Sequence, residues 1–281
     1  MTQLSDLGER ELLAELERRK LIAGVEHDAA QIGAAPNGET LVATQDALVE
    51  NVHFRLDWID WRALGFRAAA VNLSDLAASG ATPHALLVTL AVPETTLTAD
   101  VIAFYEGIAE AGVPVVGGDT TSSESVVVSV TALGHSVRIP GRAGARPGDL
   151  LVVTGPLGGA GAAFRAQRHA PPPLRLDEGR ALAATAHALL DLSDGIAVDA
   201  AHIARRSGVR CVVDLDAVPL AEGATLDDLG FGEDFELLAS VAEAQGFVVV
   251  GRVEAGDGVV TLRDNRPYEL HGWEHFSGAS T

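Results

Sequence analysis

The sequence predicts an α/β protein with two domains. Short apolar, β-branched runs alternate with segments of helical periodicity, which is the pattern of domains that pack helices on sheets. A stretch rich in Gly, Pro and Arg, IPGRAGARPGD, interrupts the alternation, which then starts again. With 281 residues, 47% of them hydrophobic, the chain has enough apolar material for two cores. We therefore divide it into an N-terminal domain, 1–138, and a C-terminal domain, 139–281.

The elements of the first half follow from periodicity and from the residues that start and end them. Asp6 followed by Glu9 is a capping pattern, so the first helix is expected to run to about Ile22. Apolar positions three to four residues apart, ended by Gly80, predict a helix over 61–79. The other predicted elements are a short strand at 41–44, a strand closed by Pro93, a helix at 98–111, a strand at 113–116 that enters a glycine turn, and an alternating strand at 125–137.

The second half repeats the alternation. A strand, a glycine turn and a helix are predicted within 150–164, followed by helices at 178–189 and 196–206 and by strands at 188–192, 209–218, 235–241 and 246–253. Residues 72–75, NLSD, and 191–194, DLSD, form a weak internal echo, one copy in each half. A four-residue match is only a hint of a shared role.

Charge and composition exclude several classes of protein. Twenty basic residues stand against 39 acidic ones, a formal net charge of -19, which argues against a nucleic-acid or anionic-membrane binder. The first twenty residues form no apolar signal segment, so we expect a cytoplasmic protein. The single Cys excludes a Cys-rich metal site, and the single lysine, Lys20, does not belong to a P-loop. An acidic chain that binds phosphates would need cations in between.

Aspartates are placed where such cations could bind. Four of them follow predicted strands, and ligands gather at the carboxyl ends of strands in α/β sheets; these are Asp46, Asp119, Asp191 and Asp194. Asp75 joins them from a predicted helix, and Asp28 precedes the first strand. Any one of these is more often a turn residue or a helix cap. Together they favour magnesium, which takes oxygen ligands and shares phosphate oxygens.

A set of motifs in order resembles one enzyme family. They are HDAA at 27–30, TQDALVENVHF at 44–54, AVNLSDLAASGA at 70–81, VVGGDTT at 115–121, RPGDLLVVTGPLGG at 146–159, LDLSDGIAVD at 190–199, GEDFELL at 232–238 and GWEHF at 272–276. The chain from about residue 24 onward thereby resembles the thiamine-monophosphate kinases of the aminoimidazole ribonucleotide synthetase-like superfamily. The resemblance implies a two-domain α/β fold, a homodimer with its site between domains, and transfer of phosphate from ATP to thiamine monophosphate.

The resemblance also implies roles for individual positions. Magnesium, as several ions, would be held by Asp28, Thr44, Asp46, Asp75, Asp119 and Asp194. ATP would meet Gly118, Asp119, Arg142 and Ser193, and the thiamine substrate would meet His53, Glu233 and Trp273. The attacking phosphate oxygen is already anionic, so no general base is expected and charge neutralisation carries the reaction. A potassium requirement is left open.

Three departures from the family pattern keep alternatives open. His27 stands where the family has a second aspartate, and Gln45 stands where a hydroxyl residue is common. Segment 141–148 is short and lacks an arginine of the family, which Arg142 or Arg146 would replace. One alternative is a superfamily relative that uses ATP on another small substrate. Another is a non-catalytic protein that keeps affinity for nucleotide or thiamine phosphate. Turnover and substrate choice separate the three.

Overall fold

The protein is described here by a computed structural model that covers residues 9–22, 27–35 and 38–273. The proposed Asp6 cap and the last three residues of GWEHF lie outside these ranges. Among the described helices, none combines the length and the apolar character needed to cross a membrane.

The N-terminal half builds a five-stranded sheet in the order β1-β2-β5-β3-β4. Every neighbouring pair is antiparallel except β3 and β4. The elements of this half are α1 (Glu9–Arg18), β1 (Ala30–Ala34), β2 (Thr40–Val49), α2 (Trp61–Ala78), β3 (Thr82–Val92), α3 (Thr98–Glu110), β4 (Val115–Ser122) and β5 (Val127–Ser136).

The C-terminal half builds a seven-stranded sheet in the order β12-β11-β8-β10-β6-β9-β7, again mostly antiparallel. Its elements are β6 (Leu150–Val153), α4 (Gly159–Arg165), α5 (Leu176–Thr185), β7 (Ala188–Asp191), α6 (Ile196–Ser207), β8 (Arg210–Asp214), a 3-10 helix (Leu226–Gly230), β9 (Leu237–Val241), β10 (Val248–Glu254), β11 (Gly258–Arg263) and β12 (Arg266–Pro267).

Helix α2 joins the two halves. Asp60 caps its start, since Oδ1 accepts a hydrogen bond of 2.7 Å from the N–H of Ala63. The helix is apolar on nearly all sides, and it packs against β2, β3 and β5 of the first sheet and against β7, β9 and α5 of the second. Gly65 lets α3 approach closely, because a Cβ there would lie 1.8 Å from the Phe104 carbonyl oxygen. A helix so placed can position side chains from both halves.

The structure confirms most predicted elements and corrects several bounds. Helix α1 ends at Arg18 rather than near Ile22, and β1 was not predicted. Strand β2 continues past Thr44, so Asp46 lies inside a strand and not after one. Strand β4 likewise runs through its two glycines to Ser122 instead of turning there. These corrections matter because the aspartates are brought together by something other than the carboxyl ends of parallel strands.

Candidate active site

A cavity of about 740 Å³ lies between the two halves, beside helix α2. Its lining combines a cluster of carboxylates with a set of aromatic rings. The residues that matter below and that line it are Asp28, Thr44, Asp46, His53, Arg55, Trp58, Asp75, Arg142, Phe164, His169, Asp191, Ser193, Asp194, Phe231, Glu233, Phe235 and Trp273.

The carboxylate cluster in the cavity wall is formed by four separate parts of the chain. Asp28 precedes β1, Asp75 lies on α2, and Asp191 is the last residue of β7; one carboxylate oxygen from each lies within 4.8 Å of the others. The carboxyl of Asp46, from β2, interacts directly with that of Asp75. Four carboxyl groups therefore converge from both halves of the molecule in the wall of the cavity.

Hydrogen bonds from neighbouring polar groups hold this cluster in place. Thr44 donates its hydroxyl to Asp75 Oδ2. Ser74 donates to Asp191 Oδ2 over 2.6 Å. The backbone N–H of Asp46 donates to Asn72 Oδ1 over 3.0 Å. The internal echo thereby acquires a meaning, because Ser74 of NLSD and Asp191 of DLSD contact each other across the boundary between the halves.

Burial and mutual repulsion make these carboxyls reluctant to ionise. Burial raises the pKa of Asp191 to about 8, and the charge of Asp28 adds to the rise. The pKa of Asp75 is raised well above its usual range by burial and by the charges of Asp46 and Asp191. Burial also raises the pKa of Asp28 and of Asp46. An arrangement of this kind stores repulsion that a multivalent cation would relieve.

The donor set fits magnesium. All four carboxyls and the Thr44 hydroxyl offer oxygen, the ligand atom that magnesium prefers. Oδ2 of Asp28 is buried and has no hydrogen-bond partner among the described residues, an arrangement that a cation would satisfy. The other oxygen of Asp28 accepts hydrogen bonds from Arg142 Nε, over 2.9 Å, and from its Nη2, over 2.5 Å. Arg142 thus brings a positive charge onto this cluster.

Aromatic residues also line the cavity. The rings of Trp58 and Phe164 meet edge to face at 5.2 Å between centroids, and Phe164 lies 4.9 Å from Phe231. Arg55 stacks over Trp58 at 4.8 Å. Trp273 lines the same cavity, and its backbone N–H donates to the carbonyl of Asp194 over 3.0 Å. Flat apolar faces here suit an aromatic or heteroaromatic ligand.

His53 also lines the cavity. Its Nδ1 accepts a hydrogen bond of 3.0 Å from the N–H of Val49, which closes the turn after β2. The neutral ring then carries its proton on Nε2. That tautomer is a hydrogen-bond donor of the kind a phosphate ligand needs.

Not every residue predicted for the site reaches this cavity. Gly118 and Asp119 lie on β4, at the edge of the first sheet, and both are exposed. Asp46 aligns with Val130, Val130 with Val88, and Val88 with Gly118, so three strand spacings, about 14 Å, separate Asp46 from Gly118. Within one chain, Asp119 and Asp46 are too far apart to bind the same ion.

Asp194 also lies apart from the three clustered aspartates. It lines the cavity, but its carboxylate groups with those of Asp199 and His202 on α6. Ser193 lines the cavity beside it, while its carbonyl accepts the N–H of Glu233 over 2.8 Å. The cluster uses Asp191 where the predicted metal set has Asp194.

Comparisons with known proteins agree with this geometry. The family model described as AIR synthase related protein, N-terminal domain, matches residues 26–136, and the corresponding C-terminal domain model matches 146–267. A thiamine-monophosphate kinase of Aquifex aeolicus is 32% identical, across 98% of this chain and 100% of its own. The chain belongs to the thiamine-monophosphate kinase family. A relative of the same name from Mycobacterium tuberculosis is 34% identical, across 97% of this chain and 93% of its own.

Solved structures of this kinase family share the fold. A structure described as AaThiL complexed with AMPPCP and TMP matches with a TM-score of 0.89 at 31% identity, covering 98% of this chain and 99% of the other. A hydrogenase maturation protein, HypE, in complex with ATP, matches with a TM-score of 0.67 at 20% identity, which shows the fold alone. The predicted family and the predicted mixed α/β fold of aminoimidazole ribonucleotide synthetase type are both confirmed.

Sequence reasoning missed several residues of this kinase's cavity. The aromatic residues Trp58, Phe164 and Phe231 come from loops and from α4, far apart in sequence, and no spacing connects them. Sequence reasoning also missed Arg67, which does not line the cavity but contacts Glu233 in its wall, although the sequence contains a signal for it. It is an arginine in the middle of an otherwise apolar helix, GFRAAAVNL, and a charge in such a place needs a partner.

Proposed function

We propose that this chain transfers the γ-phosphoryl group of ATP to thiamine monophosphate, giving ADP and thiamine diphosphate. The observation that carries the proposal is one cavity lined both by clustered carboxylates and by aromatic rings. The carboxylates suit cation-bound polyphosphate, and the aromatic residues suit the rings of thiamine. Membership of the kinase family supports the same reaction.

The transfer needs positioning more than acid–base chemistry. A phosphate oxygen of thiamine monophosphate attacks the γ-phosphorus, the bond from that phosphorus to the β–γ bridging oxygen breaks, and ADP leaves with the electron pair. His53 would donate from Nε2 to the acceptor phosphate and orient it. Arg142 would contribute positive charge beside the nucleotide phosphates, released from Asp28 when cations take its place. Magnesium, when bound, supplies charge neutralisation and orientation of the phosphate oxygens.

Residues for the cations and the nucleotide are proposed accordingly. Asp28, Thr44, Asp46 and Asp75 would hold magnesium, with Asp191 added from the geometry of the cluster. Asp194 and Ser193 line the cavity and would serve on the nucleotide side. The proposed location is the cytoplasm, where ATP is available. A potassium requirement stays open.

We also propose that the chain works as a homodimer. All eight residues of β4 are exposed, including Val115 and Val116, the latter at 63% exposure, on a strand whose outer edge is unpaired in the described sheet. Such edges are normally covered. The predicted contact of Gly118 and Asp119 with ATP then requires β4 of a second copy to approach the cavity. Light scattering on the purified protein is expected to give the mass of two chains. A single-chain mass would contradict both the homodimer and the contact of Gly118 and Asp119 with ATP bound to a second copy.

The proposed function is tested by incubating the purified chain with ATP, magnesium and thiamine monophosphate, and separating the products by chromatography. Thiamine diphosphate and ADP are expected in equal amounts. ATP-dependent turnover of a different small substrate would favour the superfamily alternative. Nucleotide binding without any turnover would favour a binding protein, and would connect His27, Gln45 or the short segment 141–148 with lost activity.

Trp273→Ala is expected to raise KM for thiamine monophosphate roughly 2- to 30-fold, because a ring face that attracts the thiazolium cation is removed. KM for ATP should change much less, since only the ring assigned to thiamine is removed and the backbone N–H that donates to the Asp194 carbonyl is kept. Steady-state kinetics with each substrate varied in turn measures both values. Trp273→Phe keeps a ring and should recover part of the loss, whereas equal rises in both KM values would contradict the stacking role.

A further inference from the structure

A buried arginine lies behind the wall of the cavity and contacts residues that line it. Arg67 lies in α2 with 2% of its surface exposed, and it does not line the main cavity. Its Nη2 donates to Glu233 Oε1 over 2.6 Å, and its guanidinium lies 5.9 Å from the ring centroid of Phe235. Glu233 and Phe235 do line the cavity. Arg67 therefore contacts, from behind, two residues of the cavity wall.

The segment that carries these two residues is conformationally strained. Glu233 and Phe235 both have positive φ, 57° and 51°, which side-chain-bearing residues rarely adopt. Gly232 before them, at φ 82°, packs so closely on Ser193 that a Cβ would lie 2.3 Å from its carbonyl oxygen. Strain of this kind persists where surrounding contacts hold it, and it concentrates at functional sites.

Contacts from both halves of the molecule hold this segment. The N–H of Glu233 donates to Ser193, and that of Phe235 donates to Leu192 over 2.9 Å. Asp234 Oδ2 accepts the N–H of Gly158 over 2.8 Å. These bonds fix the backbone within the C-terminal half. The ion pair with Arg67 adds a tie to α2, the helix that also carries Asp75 of the carboxylate cluster.

We propose that Arg67 is a positioning residue that sets the Glu233 carboxylate in the substrate wall of the cavity. One oxygen of Glu233 is taken by Arg67, and Oε2 makes no hydrogen bond to the described part of the chain. It is the acceptor available for an amino-bearing, cationic heteroaromatic ligand beside Phe235 and Trp273. The inference rests on the proposed function, and it makes α2 the element that ties Glu233 to the carboxylate cluster, because α2 carries both Arg67 and Asp75.

The test compares Arg67→Met with Arg62→Met. Arg62 lies on the same helix, is 52% exposed, and pairs on the surface with Glu106 and Glu110, so its replacement is the same chemical change away from the cavity. Arg67→Met is expected to raise KM for thiamine monophosphate about 10- to 100-fold, because Glu233 loses its fixed position. KM for ATP and kcat should change less than about threefold, and Arg62→Met should leave all three values unchanged.

Two further variants separate positioning from folding. Arg67→Lys keeps a charge near Glu233 and should recover part of the affinity. Glu233→Gln should raise KM for thiamine monophosphate, and the double variant with Arg67→Met should be no worse than the more affected single variant. If Arg67→Met does not fold, the lysine and glutamine variants still decide the matter.

The outcomes remain distinct from those of the proposed function. Wild-type turnover of thiamine monophosphate tests the reaction, whereas ratios between variants and wild type, by kinetics or by direct titration of thiamine monophosphate, test Arg67. Equal changes in KM for both substrates, a fall in kcat alone, or additive effects of the two single variants would overturn the positioning role.

Discussion

Replacing Asp46 with Asn lowers kcat by about 10²–10³-fold or more while the unliganded protein stays folded. Asp46 lines the cavity, and its carboxyl contacts Asp75 at the centre of the cluster. The Asn side chain keeps the shape but removes a negative oxygen that would neutralise magnesium and fix the phosphates. The effect falls on kcat because the charge is needed where the γ-phosphoryl group moves.

The same substitution is expected to maintain or increase the stability of the protein without ligands, although it lowers kcat. Burial and the charge of Asp28 raise the pKa of Asp46, so its ionised form is disfavoured in the folded state. Asn relieves that repulsion, and the Tm of the unliganded variant should equal or exceed the wild-type value. The rise in Tm on adding magnesium and ATP should shrink.

Asp177→Asn is the matched control for Asp46→Asn, because Asp177 is 89% exposed at the start of α5 and forms a surface ion pair with Arg180. It should change neither kcat nor Tm. Full activity in Asp46→Asn, or loss of its activity together with loss of its fold, would contradict the role assigned to this carboxylate.

Local sequence patterns were sufficient for most of the elements. Apolar spacing gives α2, α3 and α6 to within a few residues, since buried stripes and their glycine or proline ends are local signals. Strand β1 was missed because all five of its residues are exposed and carry no burial pattern. The direction in which neighbouring strands pair is not set by local sequence patterns either. The aspartates were grouped by a rule for parallel sheets, yet the sheets are mostly antiparallel.

The site was predicted in its residue types more than in its geometry. Asp28, Asp46 and Asp75 do converge, but on a helix between two sheets, where α2 supplies Asn72, Ser74 and Asp75 from about one helical turn. The contact between Ser74 and Asp191 spans 117 residues, and only the tertiary fold creates it. The tie from Arg67 to Glu233 spans 166 residues in the same way.

Without magnesium, the folded protein loses stability as the pH rises from about 5 to 7. The carboxyl of Asp191 has a pKa of about 8 in the fold against 3.8 in an unfolded chain, so in this range only the folded state holds the proton. Unfolding then releases the proton, and a higher pH favours unfolding. Each such proton lowers the free energy of unfolding by up to about 1.4 kcal/mol per pH unit. Asp75 and Asp199, whose pKa values are raised chiefly by burial, act in the same direction.

His169 and Asp149 oppose this trend, and the pH ranges in which they act can be separated from it. Burial and the charge of Arg67 lower the pKa of His169, so this residue favours the folded state as the pH rises through 6.5. Because His169 is a single half-buried group, the several carboxyls with raised pKa values outweigh its contribution to the pH dependence of stability. Against the effect of burial, hydrogen bonds from Ser240 and His187 lower the pKa of Asp149, and the resulting stability is lost as the pH falls below about 4. The maximum of stability without magnesium should therefore lie near pH 5.

Urea unfolding at pH 5, 6 and 7, with and without magnesium, measures this linkage. Saturating magnesium should remove most of the decline, because bound cations displace the protons and then stabilise the ionised cluster. Asp191→Asn should flatten the pH dependence without magnesium, while Asp177→Asn should leave it intact. A stability that rises from pH 5 to 7 in the wild type would mean that the carboxyls ionise freely in the fold. The converging aspartates would then need no cation, and the argument for a magnesium site from their repulsion would fail.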